Sequence, residues 1–191
     1  MNWSIVVEGQ SDIPIVEAIL RTCGHDVDRR YVTGGKDRLD DRIRGYIGAS
    51  RFSPFLIVRD LDDEKCAPTL AARLRAGTNA PFVRIAVRTI EAWLLADNQR
   101  AAAWLGVNVT VVPKAPESLS SPKQTLIKLA RRSRLRVIRD GIPPADPAYA
   151  RVGPGYLSLV KEFCESGWRP TAAAERSDSL RRLLQRLERA R

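Results

Sequence analysis

Residues 55–63 read Phe-Leu-Ile-Val-Arg-Asp-Leu-Asp-Asp, an apolar run that ends in carboxylates. A short β-branched run of this kind predicts a strand buried in a parallel sheet. Residues 5–9, Ile-Val-Val-Glu-Gly, repeat the pattern near the start of the chain. Chemistry in open α/β sheets lies just beyond the carboxyl ends of the strands. We therefore expect Glu8, Asp60 and Asp62 to emerge side by side at one edge of a sheet.

Strand and helix signals alternate around these two segments. The spacing predicts strands over 3–7, 30–32, 55–59 and 82–87. Helices are predicted after Ser11 or Asp12, which would cap the first of them, and over 37–47 and 67–76. This alternation predicts an α/β fold, a mainly parallel, Rossmann-like sheet flanked by helices.

The second half of the chain follows a different pattern. Residues 107–112 fit either a strand or an extended connection, and the prolines and glycines of 139–155 predict a long irregular connection. The remaining segments have helical spacing, and they are 89–96, 99–105, 123–132, 156–165 and 179–189. We therefore predict two parts, an α/β domain over 1–98 and a basic, mostly helical extension over 99–191 that packs on it.

Charge is distributed unevenly between these parts. The net charge is +10, and residues 101–191 hold 17 Lys and Arg against 8 Asp and Glu, whereas residues 1–100 hold 15 against 14. A local surplus of positive charge attracts polyanions, chiefly nucleic acid. The alternatives are a basic surface that keeps the protein soluble and an Arg-rich genome. The predicted nucleic-acid contacts are Lys114, Lys128, Arg131, Arg132 and Arg134, each with a solvated side chain as its alternative.

Several classes of protein are disfavoured. The sequence has no apolar run of the ~18–20 residues that a membrane span needs, and its first residues lack the sections of a signal peptide. Cys23, Cys66 and Cys164 form neither a zinc pattern nor a disulfide framework, so we expect a cytoplasmic protein. No Walker A sequence is present, so we expect no ATP hydrolysis by this chain.

The carboxylates predict a metal site. Asp60 and Asp62 are two residues apart and would point the same way in an extended segment. Converging carboxylates repel each other unless a cation joins them, and hard oxygen ligands suit Mg²⁺ or Mn²⁺. Asp12 is a further candidate ligand, although Asp12 and the acidic run at 60–64 could equally be a helix cap and a solvated turn.

Two more residues fit the same site. Glu91 follows the strand predicted at 82–87 and would reach the same edge of the sheet, or it is an ordinary glutamate at a helix N-terminus. Lys123, like Lys114, lies beside a proline-rich loop and could stabilise a phosphate or an oxyanion, or be a solvated loop lysine.

The Glu8-Gly9 pair and the Asp60-Leu61-Asp62 segment resemble the metal motifs of the TOPRIM fold. Topoisomerases, primases and overcoming-lysogenization-defect nucleases share this fold, and the resemblance covers about residues 3–90. A narrower resemblance reaches a bacterial TOPRIM-like family of unknown function that is often encoded beside an ATPase. It rests on residues 90–97 (Ile-Glu-Ala-Trp-Leu-Leu-Ala-Asp), 121–123 (Ser-Pro-Lys) and 177–180 (Ser-Asp-Ser-Leu).

The resemblance implies metal-dependent phosphodiester chemistry. Asp60 and Asp62 would hold the metal, and Glu8 would ligate it or act on the attacking water. The expectation is a nuclease acting on DNA or RNA, an effector of antiphage defence that a partner ATPase controls. Two alternatives stay open, a non-catalytic module that binds nucleic acid or an ATPase, and an RNA-cutting toxin. Whether the chain forms a homo-oligomer also stays open.

Overall fold

The computed structural model describes residues 1–75 and 82–190. Four strands and three helices alternate through the first half, which confirms the predicted order. The strands are β1 (Asn2–Val7), β2 (Asp26–Val32), β3 (Phe55–Asp60) and β4 (Val83–Ala86). The helices between them are α1 (Ile13–Thr22), α2 (Lys36–Ala49) and α3 (Ala67–Arg75). The predicted end of α3 at residues 76 and 77 lies outside the described residues.

All the pairings in this sheet are parallel, with the strands in the order β2-β1-β3-β4. The central strands β1 and β3 carry the apolar runs that gave the strongest strand predictions. Ile57 of β3 lies opposite Val6 on one side and Val83 on the other. The residues just beyond β1, β3 and β4 therefore meet at the same edge, as the α/β pattern requires.

Side chains of the central strands alternate between two apolar cores. Ile5 and Val58 belong to the larger core, and Val6 and Ile57 belong to the smaller one under α2 and α3. This period of two follows from the geometry of an extended strand. The seven helices that follow β4 contribute to the larger core, so they lie against one face of the sheet.

Those seven helices form most of the second half of the chain. They are α4 (Glu91–Ala96), α5 (Asn98–Leu105), α6 (Pro122–Arg131), α7 (Arg136–Gly141), α8 (Tyr156–Ser166), α9 (Pro170–Ala174) and α10 (Asp178–Glu188). Trp3 of β1 and Leu187 of α10 belong to the same core, so both halves contribute to it. A domain boundary at residue 98 stays a prediction.

Three segments differ from the sequence prediction. Residues 107–112 contain no strand. They contain a 3₁₀ turn over Val109–Val111, and the Asn108 side chain accepts a hydrogen bond from the N–H of Thr110 at its start. Helix α7 occupies the start of the stretch predicted as irregular, and α9 was not predicted. Both helices are only five or six residues long, so neither has enough turns to show a clear apolar period.

Candidate functional site

Four carboxylates meet at the carboxyl edge of the sheet. Glu8 follows β1, Asp60 ends β3, and Glu91 begins α4 after β4. Asp12 belongs to a 3₁₀ turn over Gln10–Asp12 that joins β1 to α1. Asp12 and Glu91 are buried, with 9% and 1% of their surface exposed. These are four of the residues that the sequence singled out.

Backbone N–H groups tie the strand ends to this cluster. The N–H of Asp60 donates to Glu8 Oε1 at 2.8 Å, and the N–H of Ile90 donates to Asp60 Oδ1 at 2.9 Å. The Asp60 side chain therefore bridges β3 and the segment after β4. Its other oxygen, Oδ2, accepts no hydrogen bond from the residues that the structure describes.

The sequence suggested that Asp12 caps α1, but its side chain makes no hydrogen bond to the start of this helix. Its side chain turns back, so that Oδ2 accepts from the N–H of Gly9 at 2.7 Å and Oδ1 from the hydroxyl of Ser11 at 3.2 Å. The first turn of α1 instead contains Pro14, which has no N–H to satisfy. The Asp12 side chain therefore makes its hydrogen bonds within the turn that follows Glu8 and stabilises that turn.

Glu91 has a lysine and a tyrosine on one oxygen, and Thr89 is a further side-chain partner that helps to lower its pKa. The ammonium of Lys123 lies 2.9 Å from Oε1, and the hydroxyl of Tyr156 donates to the same atom at 2.9 Å. The second oxygen, Oε2, is buried without a hydrogen-bond partner of normal geometry in the described part of the chain. Such an atom is costly to leave unpaired, and it marks a place for a ligand.

Tyr156 is the main site residue that sequence reasoning missed. It is the first residue of α8, far along the chain from the carboxylates, and its ring also lies 5.4 Å from the Lys123 ammonium. A tyrosine at the start of a helix carries no spacing signal of its own. Only the fold brings it to the cluster.

Burial and mutual repulsion raise the pKa of three of the carboxyls. Burial raises the pKa of Glu8 to about 7, although the N–H of Asp60 and the charge of Arg59 act against it. Burial and the charge of Glu91 raise the pKa of Asp12 to about 6. The pKa of Asp60 is raised well above its usual value by burial and then by Glu91, Asp12 and Glu8.

Glu91 behaves in the opposite way. Burial acts to raise its pKa, but the adjacent Lys123 charge and the hydrogen bonds to Glu91 act the other way and leave it lowered. Burial acts to lower the pKa of Lys123, but the charge and hydrogen bond of Glu91, followed by the charges of Asp12 and Asp60, leave it raised. One ammonium thus serves three carboxylates.

Asp62 does not continue the extended strand on which its alignment with Asp60 was expected to rest, although its charge still raises the pKa of both Glu8 and Asp60. Strand β3 ends at Asp60, and Asp62 has a φ of 49°, in the left-handed region. Its Oδ2 lies 3.3 Å from Nη1 of Arg59 and 3.6 Å from Nζ of Lys36. Because the chain turns directly after the strand, the alternation that governs an extended segment no longer applies.

Arg59 organises this side of the site. It is 3% exposed, and its guanidinium binds both oxygens of Asp40 at 3.2 and 3.3 Å. It also lies 3.8 Å from Glu8 Oε1 and bonds the carbonyl of Asp60. A charged residue inside an otherwise apolar strand is the signal that could have identified it.

The predicted nucleic-acid residues lie apart from the carboxylates. All five are exposed, and Arg131 donates to the carbonyl of Pro144 at 3.1 Å. The charges that raise or lower the pKa values of the four carboxyls do not include theirs. They are Lys114, Lys128, Arg131, Arg132 and Arg134, and their contact with nucleic acid stays a prediction.

The donor set has the chemistry of a magnesium or manganese site without its finished geometry. Within residues 1–75 and 82–190, no three acidic, histidine or cysteine side chains are already arranged around one metal position. The available donors are nonetheless all carboxylate oxygens, which these ions prefer. The unpaired Oε2 of Glu91 and the free Oδ2 of Asp60 fit such an ion.

Comparison of the sequence with protein-family models and with curated proteins finds no match. Among solved structures, the chain is similar to the C-terminal region of the Burkholderia pseudomallei OLD protein. The TM-score is 0.53 at 13% identity, and the alignment covers 99% of this chain and 97% of that one. Among the described helices, none combines the length and apolarity of a bilayer span. The chain thus has an α/β fold of the kind found in that OLD region.

Proposed function

We propose that this chain hydrolyses phosphodiester bonds of DNA or RNA with Mg²⁺ or Mn²⁺ at the carboxylate cluster. The observation that carries the proposal is the convergence of four carboxylates of which three have raised pKa values. Like charges in a desolvated site are stabilised by a cation placed among them. Lys123 and Arg59 together leave the four carboxylates short of positive charge, because Arg59 is shared with Asp40 and Asp62.

Asp12, Asp60 and Glu91 are the residues that would hold the ion, with Asp62 as a further candidate. When bound, the ion supplies positive charge that polarises the phosphate and offsets charge on the departing oxygen. The Asp60 side chain is oriented for this by the N–H of Ile90. Glu91 is oriented by Lys123 and Tyr156, which occupy Oε1 and leave Oε2 without a hydrogen-bond partner of normal geometry among the described residues.

Glu8 is the proposed general base. The N–H of Asp60 fixes Oε1, so Oε2 is left to accept the proton of the attacking water. A pKa of about 7 matches what proton transfer at neutral pH requires. Lys123 would stabilise the charge of the phosphate oxygens, because it is held at the cluster by Glu91.

The test is incubation of the protein with plasmid, single-stranded DNA and total RNA, with Mn²⁺ or with chelator. We expect cleavage of at least one substrate with Mn²⁺, and no cleavage with chelator or for Asp60→Asn. Asp63→Asn is the matched control, because Asp63 is exposed in the same loop, and it should cleave as the wild type does. Cleavage that survives both chelator and Asp60→Asn would refute the proposal.

The narrower resemblance also leads us to propose a partner ATPase that controls the chain in antiphage defence. The assay is therefore run with and without such a partner. A second candidate function is a module that binds nucleic acid or the ATPase without chemistry, and the unfinished metal geometry favours it. Absence of Mn²⁺-dependent cleavage under both conditions would support this module.

A further inference from the structure

A groove of about 510 Å³ runs along the outer edge of β4, between α3 and α10. Its volume lies in the range of ordinary ligand sites. Three arginines contribute to its lining, and they are Arg75, Arg84 and Arg182. The groove was not predicted from the sequence, because Arg84 lies inside a strand and the others lie on separate helices.

Arg84 is the unusual residue in this groove. Its Nε atom is buried without a hydrogen-bond partner, and no carboxylate forms an ion pair with it in the described part of the chain. Burial, followed by the charges of Arg75 and Arg186, lowers the pKa of Arg84 to about 10. Arg84 is half-buried, and a partly desolvated cation with cations for neighbours is destabilised unless an anion joins them.

The acidic residues that line the groove already have partners. Glu117 accepts hydrogen bonds from the hydroxyls of Ser177 and Ser179. Asp178 forms ion pairs with Arg181 and Arg182 on its own helix. Neither carboxylate neutralises Arg84, so the positive charge at β4 is not balanced from within the groove.

The two flanking arginines are held in place by other contacts. Nη2 of Arg75 donates to the carbonyl of Val83 at 2.8 Å, and the Arg186 guanidinium lies 5.6 Å from the centre of the Phe82 ring. These contacts hold in place the two arginines, Arg75 and Arg186, whose charges act on Arg84. Preorganised arginines match the geometry of phosphate oxygens.

We propose that this groove binds a backbone phosphate of a nucleic-acid strand, with Arg84 as the main contact. The choice of nucleic acid rests on the proposed function, whereas the need for an anion rests on the groove alone. Val87 also lines the groove and lies between β4 and Ile90, whose N–H binds Asp60. A strand in the groove would therefore run toward the carboxylate cluster.

The first test measures binding without cleavage. Fluorescence anisotropy in chelator follows a labelled single-stranded oligonucleotide with wild type, Arg84→Gln and Arg44→Gln. Arg44 is an exposed arginine on α2 and serves as the matched control. We expect Arg84→Gln to bind about 10-fold more weakly, the loss of one charged contact. The slope of log affinity against log salt should also fall by ~0.7 for a single strand.

The second test separates an anion site from a structural role. Inorganic phosphate should raise the melting temperature of the wild type and not that of Arg84→Gln, whereas Arg84→Gln without ligand should be at least as stable as the wild type. Arg84→Lys keeps the charge without the fork, so its affinity for the oligonucleotide should be intermediate. A less stable Arg84→Gln together with full affinity in Arg84→Lys would assign Arg84 to the fold and overturn the site.

The remaining outcomes are also decisive. Equal affinity and equal salt slope in wild type and Arg84→Gln would overturn the strand-binding proposal, and stabilisation by inorganic phosphate would then identify a site for free phosphate compounds. Weakened binding in Arg84→Gln without any Mn²⁺-dependent cleavage would sustain this site and reject the proposed nuclease. The two proposals can therefore fail separately.

Discussion

Two clusters of opposite charge lie along the same strand. Beyond the end of β4, Glu91 joins three other carboxylates, and within β4, Arg84 is under the charges of two other arginines. Burial and like neighbours shift the pKa of those three carboxyls and of Arg84 away from the charged form, whereas Lys123 keeps that of Glu91 lowered. The comparison shows what each cluster lacks. A bound cation would stabilise the carboxylates, and a bound anion would stabilise the arginines.

The exposed basic run, which contains Lys128, Arg131, Arg132 and Arg134 on α6 and just after it, provides the contrast. Its arginines are as numerous as those of the groove, but water surrounds them. A solvated charge is stabilised by water, so such a run does not need a bound anion to be stable. Charge density alone therefore says less about a site than charge together with burial.

The largest expected effect comes from Glu8→Gln. The change keeps the size of the side chain and removes the proposed base, so cleavage should fall by ~10²–10⁴-fold while oligonucleotide binding stays within about twofold. The measurement is the initial rate with Mn²⁺, and Glu188→Gln on the exposed side of α10 is the control. Full activity in Glu8→Gln would remove the catalytic meaning of the acidic cluster.

The pH dependence of stability tests the same cluster without substrate. Because the pKa of Glu8 rises from 4.5 to about 7 on folding and that of Asp12 from 3.8 to about 6, the native state holds more protons than the unfolded state between these values. The free energy of unfolding should therefore fall as pH rises from about 4.5 to 7. Glu8 alone accounts for roughly 3 kcal/mol of this fall, at 1.36 kcal/mol per pKa unit.

Denaturant unfolding in chelator across this range measures the fall. The stability of the double variant Glu8→Gln/Asp12→Asn should depend less on pH. For the wild type, Mn²⁺ added in place of the chelator should oppose the loss of stability at pH 7. A wild type whose stability rises steadily through this window would show that the carboxyls are not mutually destabilised.

A smaller effect is expected from Asp62→Asn. Asp62 forms ion pairs with Arg59 and Lys36 and acts on Glu8 and Asp60 through its charge, and asparagine tolerates its left-handed backbone. Cleavage should fall by ~10-fold, as for a residue that orients a metal ligand, whereas Asp60→Asn should abolish it. Parallel rates for the two variants decide the matter, and equal losses would return Asp62 to the metal site.

The smallest effect per residue is expected in the exposed basic run. Replacing Arg132 with glutamine should weaken oligonucleotide binding less than about fivefold, against about 10-fold for Arg84→Gln. Anisotropy at two salt concentrations compares the variants directly. A larger loss for Arg132→Gln than for Arg84→Gln would reverse the comparison between exposed and buried charge.

The fold followed from local patterns because the apolar runs of β1 and β3 are fully buried. Their ends also located Glu8 and Asp60, since parallel strands finish at one edge. The extended geometry assumed for Asp62 is absent because a single left-handed residue ends the alternation. Turns of this kind depend on tertiary contacts such as the ion pair with Arg59.

Tyr156 and Arg84 lay beyond sequence reasoning for another reason. Tyr156 reaches Glu91 across 65 positions of the chain. Arg84 acquires its meaning from α3 and α10, which pack on either side of the groove. Periodicity describes a residue's own element, so it carries no information on which distant element supplies the partner.

Titration calorimetry of Mn²⁺ tests the central claim most directly. The wild type, the double variant Asp60→Asn/Glu91→Gln and the control Asp63→Asn are compared at pH 8, with melting temperatures to verify folding. We predict measurable binding to the wild type and to Asp63→Asn, and none to the folded double variant. Unchanged Mn²⁺ affinity in the double variant would contradict the metal site, and with it the proposed hydrolysis.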